Sequence, residues 1–133
     1  MIPLLLACAI DPVLDTGLGF HVVGSSPEDG EQDVIEAAIP EVRFSEAASE
    51  ENCGSGQVRL DAIDENDAVL FTVETTSTFS SVDEKIQLEH DIPLHHGYDY
   101  ALTVRGATSE TDLGCTSLSG EVVAPFFARF RVP

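Results

Sequence analysis

The stretch Tyr98-Asp99-Tyr100-Ala101-Leu102-Thr103-Val104-Arg105 decides the fold. Tyr98, Tyr100, Leu102 and Val104 alternate with Asp99, Ala101, Thr103 and Arg105, and a period of two puts the first set on one face of a β-strand. Working outwards, Phe126, Ala128, Phe130 and Val132 alternate with Arg129 and Arg131 in the last strand. Upstream, residues 84–89 turn Ile86 and Leu88 inward. Residues 57–63 set Val58, Leu60 and Ala62 against Arg59 and Asp61, and residues 41–45 pair Val42 with Phe44. Residues 68–74 place Val69, Phe71 and Val73 on one face, and Asp64-Glu65-Asn66-Asp67 before them reads as a hairpin turn. Residues 20–25 are apolar and stop at Ser26-Pro27-Glu28-Asp29-Gly30, where proline fixes φ and glycine accepts a positive one. The pattern predicts an all-β, antiparallel β-sandwich of about seven strands. A helix fits only at 34–38 or 45–52, and each would be short.

The chain has 133 residues, 24 acidic and six basic side chains, and a net charge of −18. With 43% hydrophobic and 23% charged residues it is globular material, and its length suits one domain with a real core. The charge excludes sequence-blind nucleic-acid binding, because phosphates are repelled and no basic stripe exists. It also argues against lying flat on an anionic membrane. No apolar run approaches the ~18 residues of a membrane-spanning helix.

At the amino end, Leu5-Leu6-Ala7-Cys8 resembles a bacterial lipobox, in which the cysteine takes a lipid and becomes the first residue of the mature protein. The resemblance implies a lipoprotein-type signal and lipidation site over 1–8, a lipid anchor in the membrane and export. No basic residue precedes Cys8. The alternative is that residues 2–7 are a buried first strand. Residues 9–19, with Pro12, Gly17 and Gly19, read as a tether to a domain over 20–133. Once Cys8 is assigned to a lipid, Cys53 and Cys115 remain as a pair suited to an oxidising compartment. Their spacing does not resemble a zinc site.

The segment from Ser25-Ser26-Pro27-Glu28-Asp29-Gly30 to Val34, followed by Val42-Arg43-Phe44-Ser45-Glu46, resembles the bacterial Ig-like domain of the S-layer protein type. Pro93-Leu94-His95-His96-Gly97-Tyr98-Asp99-Tyr100, Thr111-Asp112-Leu113-Gly114 and Phe127-Ala128-Arg129-Phe130 are similar to later segments of that family. The resemblance implies that Leu94 plugs the core and Gly97 turns the chain. It also implies that Tyr100 returns its hydroxyl to an upstream backbone group as a tyrosine corner. Cys115 stands where the family has asparagine, and Cys53 lies in an inserted Gly/Ser loop. If these are the B–C and F–G loops, they share one end of the sandwich, and a Cys53–Cys115 disulfide staples them.

No constellation points to catalysis. Gly-x-Ser-x-Gly, HExxH and a phosphate-binding glycine loop are all absent. His95 and His96 are adjacent, so in an extended or turning chain they point apart and chelate poorly. An EF-hand counted from Asp61 fails, because its sixth and twelfth positions hold Asn66 and Thr72. A looser calcium site at Glu110 and Asp112 remains an alternative. The expectation is a protein that is not an enzyme, with no cofactor and no metal site. It would be a non-catalytic module of an envelope-anchored lipoprotein, acting as a structural spacer or as an adhesion or binding unit. Its partner would be an envelope or surface protein or a glycan, and not nucleic acid. The alternative function is a periplasmic ligand- or calcium-binding accessory protein.

Overall fold

A strand with one apolar face must bury that face against a second layer. The computed structural model describes residues 19–54 and 56–133 and meets this need with two four-stranded sheets. The strands are β1 (Val22–Ser26), β2 (Glu41–Phe44), β3 (Val58–Ile63), β4 (Val69–Thr72), β5 (Thr76–Ser80), β6 (Lys85–Glu89), β7 (Tyr98–Val104) and β8 (Phe126–Val132). One sheet runs β1-β2-β6-β5 and the other β4-β3-β7-β8, with every pairing antiparallel. The expected β-sandwich is therefore what forms, with eight strands in place of about seven. No α-helix occurs among the described residues, and 34–38 and 45–52 are turns, bends and an isolated bridge at Ala48. The expected signal at 1–8 with Cys8, and the tether apart from Gly19, lie outside the described residues.

The alternation reads directly as the interior. Val42 and Phe44 of β2 and Ile86 and Leu88 of β6 face Leu60 of β3, Tyr100, Leu102 and Val104 of β7, and Ala128, Phe130 and Val132 of β8. All of these are buried, and each large apolar side chain contributes roughly 1.5–3 kcal/mol by leaving water. Phe20 stacks on Phe44 with ring centroids 5.0 Å apart, and Tyr100 stacks on Phe130 at 5.7 Å.

Three features depart from the sequence reading. The missed strand, β5, is Thr-Ser-Thr-Phe-Ser, whose only large apolar residue is Phe79. Val69 and Phe71 do not form an inward face: β4 is an edge strand exposed along its length. A bulge leaves Leu70 unpaired between Ile63↔Val69 and Ala62↔Phe71, which interrupts the period of two. Asp61, on the outward face, is fully buried. Arg59 (3.0 Å) and the Thr72 hydroxyl (2.7 Å) bond its two oxygens and cover it.

Loops close much of the periphery. The N–H groups of Gly30 and Val34 donate to the carbonyls of Arg129 and Arg131, and Arg131 N–H donates to Glu31, so the 30–34 segment covers the outer edge of β8. Gly114 sits at φ +68°, and a Cβ there would lie 2.5 Å from the carbonyl oxygens of both Arg105 and Gly106. Gly120 also has positive φ but faces open space. Gly114→Ala should therefore cost roughly 3 kcal/mol or more, against about 1–2 kcal/mol for Gly120→Ala. Urea denaturation midpoints of the two variants check the difference, and equal losses would contradict the crowding.

Candidate functional site

The end of the sandwich where β2 leaves for β3 and β7 leaves for β8 is cross-linked. Cys53 and Cys115, both fully buried, form a disulfide across 62 residues of chain. The staple thus joins two loops at one end, as the loop contexts of these cysteines imply. Adjacent backbone bonds reinforce it: Ser49 N–H donates to Thr116 (2.9 Å), and Cys115 N–H donates to Arg105 (3.0 Å). In the same region Arg105 grips Asp112 with two nitrogens, at 2.6 and 3.0 Å, while Thr108 donates to the same carboxylate. The Arg105 hydrogen bonds, with help from Thr108, hold the Asp112 carboxyl down at about 2. Asp112, one of the two oxygen donors considered for calcium, is thus engaged by a cation of the chain itself.

The opposite end carries the corner. The Tyr100 ring is buried, and its hydroxyl accepts the His95 backbone N–H at 2.7 Å. Burial pushes the phenol pKa up. Leu94 is buried beside it, and Gly97 makes the turn at φ +84°. These three residues pin the 90–97 loop to the interior.

A second polar constellation, on the outer face of the β4-β3-β7-β8 sheet, went unseen in the sequence. Arg129 reaches Asp99 (2.6 Å), Asp67 and the Asp64 carbonyl, and Arg131 reaches the other oxygen of Asp99 (3.0 Å). Burial raises the Asp99 pKa, but the hydrogen bonds from Arg129 and Arg131 outweigh it and hold the carboxyl below its usual range. The alternating Asp-x and Arg-x-Arg patterns were visible, but the register Ala101↔Arg129 and Asp99↔Arg131 that joins them was not.

The histidines are dispersed. His21 Nδ1 lies 2.8 Å from the Gly19 carbonyl, and the two nitrogens of His90 face the carbonyls of Ile92 (2.8 Å) and Ala38 (2.6 Å). His96 lies between the Pro133 carbonyl (2.9 Å) and Glu36 (3.2 Å). Among the described residues no three His, Cys, Asp or Glu side chains gather where they could hold a metal ion.

One concavity combines apolar and charged walls. A groove of about 450 Å³ lies where the chain crosses from β4 to β5, over Leu94 and Tyr100. Phe71 and His95 line it, and their rings meet Tyr98 edge-on in a cluster with centroid separations of 5.8–5.9 Å. Glu74, Glu89 and Asp91 also line it. Among the described residues none of these three carboxylates pairs with a lysine or arginine. Five of the six basic side chains of the protein pair elsewhere.

No protein-family model matches the sequence, and no curated protein matches it. Solved structures do match in fold. Surface layer protein SbsC, domains 1–6, is similar with a TM-score of 0.59 at 10% identity, over 86% of this chain and 14% of that chain. The N-terminal part of the bacterial S-layer protein SbsC is similar at 0.57 and 9% identity, over 85% of this chain and 23% of that one. CopC from Methylosinus trichosporium OB3b gives 0.58 at 14% identity, over 85% of this chain and 92% of that chain. The chain thus spans less than a quarter of the S-layer chains and nearly all of the CopC chain. At these identities the likeness is one of fold alone, an antiparallel β-sandwich.

Two expected outcomes follow from the stapled end. Replacing Cys53 and Cys115 together by alanine should cost roughly 4 kcal/mol in the chain-entropy account of a loop this long. Reductant should lower the wild-type denaturation midpoint similarly and leave the variant unmoved. Indifference of the wild type to reductant would remove the bridge. The second outcome concerns Asp112, whose folded pKa is depressed. Its contribution to stability is complete above its ordinary 3.8 and is lost as pH falls towards about 2. In Arg105→Gln the Asp112 carboxyl should titrate higher, towards its ordinary 3.8, and its share of the acid-dependent loss should shrink, with Thr108 and the Gly114 N–H keeping the remainder. Carboxyl NMR titration of both proteins reads this directly.

Proposed function

We propose that this protein is a non-catalytic Ig-like module of an exported bacterial lipoprotein, held at the cell envelope through lipid on Cys8. There it serves as a structural spacer or as an adhesion or binding unit. The observation that carries the reading is the disulfide. Pairing Cys53 with Cys115 leaves Cys8 as the odd thiol, within a lipobox-like Leu-Leu-Ala-Cys, and a buried structural disulfide belongs to an oxidising compartment. The fold shared with domains of a surface layer protein supports an envelope role. A non-catalytic role fits the use of Arg105, Arg129 and Arg131 to hold carboxylates of the chain itself.

A second reading, a periplasmic ligand- or calcium-binding accessory protein, draws on the groove over Leu94 and Tyr100. Its calcium form is weakened by the capture of Asp112 by Arg105.

Mass spectrometry of the protein from cells tests the location. The expected result is a mature chain that begins at an acylated Cys8, partitions into detergent, and is lost to the soluble fraction in Cys8→Ser. A soluble chain with Cys8 unmodified would overturn the anchor. Free thiols at Cys53 and Cys115 in the cell would overturn export itself.

A further inference from the structure

We infer that the open edge of β4 and the adjoining groove form a docking site for an extended, lysine- or arginine-bearing segment of a partner protein, which adds to the sheet as a fifth strand. The inference names the partner chemistry for the binding role proposed above and rests on that role.

The four sheet edges are not alike. The β8 edge is covered by the 30–34 segment. β5 presents serine and threonine, and β1 reads Val-Val-Gly-Ser-Ser. β4 alone offers a row of large apolar side chains, with Val69 51%, Leu70 52% and Phe71 37% exposed. Val69-Leu70-Phe71-Thr72 has no lysine or proline to discourage pairing, and its bulge at Leu70 leaves Phe71 and Thr72 as the regularly paired part of the edge. β4 pairs with β3 alone. Val73 donates its N–H to Leu60 (2.9 Å), so alternation turns the N–H and carbonyl of Thr72 away from β3. An added strand would meet those groups.

The groove begins at this same edge, which fixes the side chains the added strand must carry. Phe71 belongs to both the edge and the groove, and an aromatic ring there favours a nearby cation. Glu74, Glu89 and Asp91 also line the groove, with no basic partner among the described residues. An incoming ammonium or guanidinium would supply the missing countercharge, while the backbone supplies affinity, as in strand addition generally. The same charges argue against a second copy of this chain, because each copy carries −18.

The test uses the full chain and a fluorescein-labelled eight-residue peptide of alternating valine and lysine. Binding should be measurable by anisotropy and fall at least fivefold between 50 and 500 mM NaCl. It should weaken at least tenfold when alternate peptide nitrogens are methylated, which removes edge hydrogen bonds and keeps the charge. It should weaken at least fivefold in the Glu74→Gln/Glu89→Gln double variant, whose circular dichroism should match the wild type. Hydrogen exchange should show new protection at the Thr72 amide. The inference fails if the peptide does not bind at millimolar concentration, if a valine–glutamate peptide or the methylated peptide binds equally well, or if protection appears elsewhere. It also fails if sedimentation shows a dimer that protects β4, or if cellohexaose protects β4 and the peptide does not. None of these failures touches acylation at Cys8, which is read separately.

Discussion

No strand of one sheet pairs with a strand of the other, so apolar contact between the inner faces is what makes two ribbons into one body. The two aromatic stacks lie towards opposite ends of this seam. Phe20 on Phe44 closes the end where β2 departs for the stapled loop, and Tyr100 on Phe130 closes the end where β7 begins. Tyr100 has a second duty, because its hydroxyl holds the 90–97 loop against the sheet. The wall of the groove that contains His95 therefore depends on a ring whose main business is the core. Remove the seam and neither the disulfide loops nor the groove has a frame on which to hang.

Outside the seam the scarce cations are deployed as braces. Arg59 covers a buried aspartate, Lys85 spans β2 and β6 to Glu41 (3.5 Å), Arg105 ties down the loop after β7, and Arg129 and Arg131 share Asp99. Pairs at half-exposed sites are individually weak. Their collective effect is on where negative charge remains. Acids beside the arginines are neutralised, while those beside the groove are not, so the surface is patterned rather than uniformly acidic.

The legible parts of the fold were those where burial and period coincide. β2, β3, β6, β7 and β8 each carry apolar residues at alternate positions, and the structure buries these residues between the sheets except at the start of β7 and β8, where Tyr98 is exposed and Phe126 half-buried. Cysteine arithmetic left Cys53 and Cys115 as the pair that the structure joins, and the tyrosine corner that the family resemblance implied for Tyr100 corresponds to a buried ring whose hydroxyl is bonded upstream. β5 escaped because an exposed edge strand of serine and threonine needs no apolar face. β4 was recognised as a strand but misjudged in orientation, because a one-residue bulge at Leu70 has no signature in composition. Asp61 looked like a solvent-facing charge, and the cross-strand neighbour Thr72 together with Arg59 makes it a buried one. The Arg129–Asp99–Arg131 cluster depends on the register of β7 against β8, which alternation within each strand leaves undetermined.

The placement of the basic residues has one more consequence. Arg43, Arg59, Lys85, Arg129 and Arg131 all lie within strands, and Arg105 follows β7 directly with its N–H bonded to Gln57 at 2.7 Å. A trypsin-like protease must draw a basic residue and its neighbours into an extended, unpaired conformation, which surface loops readily provide. Here the loops are acidic, polar or glycine-rich, and Arg105, the one basic residue just beyond a strand, is held by Gln57 and Asp112. Cleavage by that class must wait for a strand to leave its sheet or for the bonds that hold Arg105 to break, so the resistance of this chain to such an enzyme is set by how often it opens.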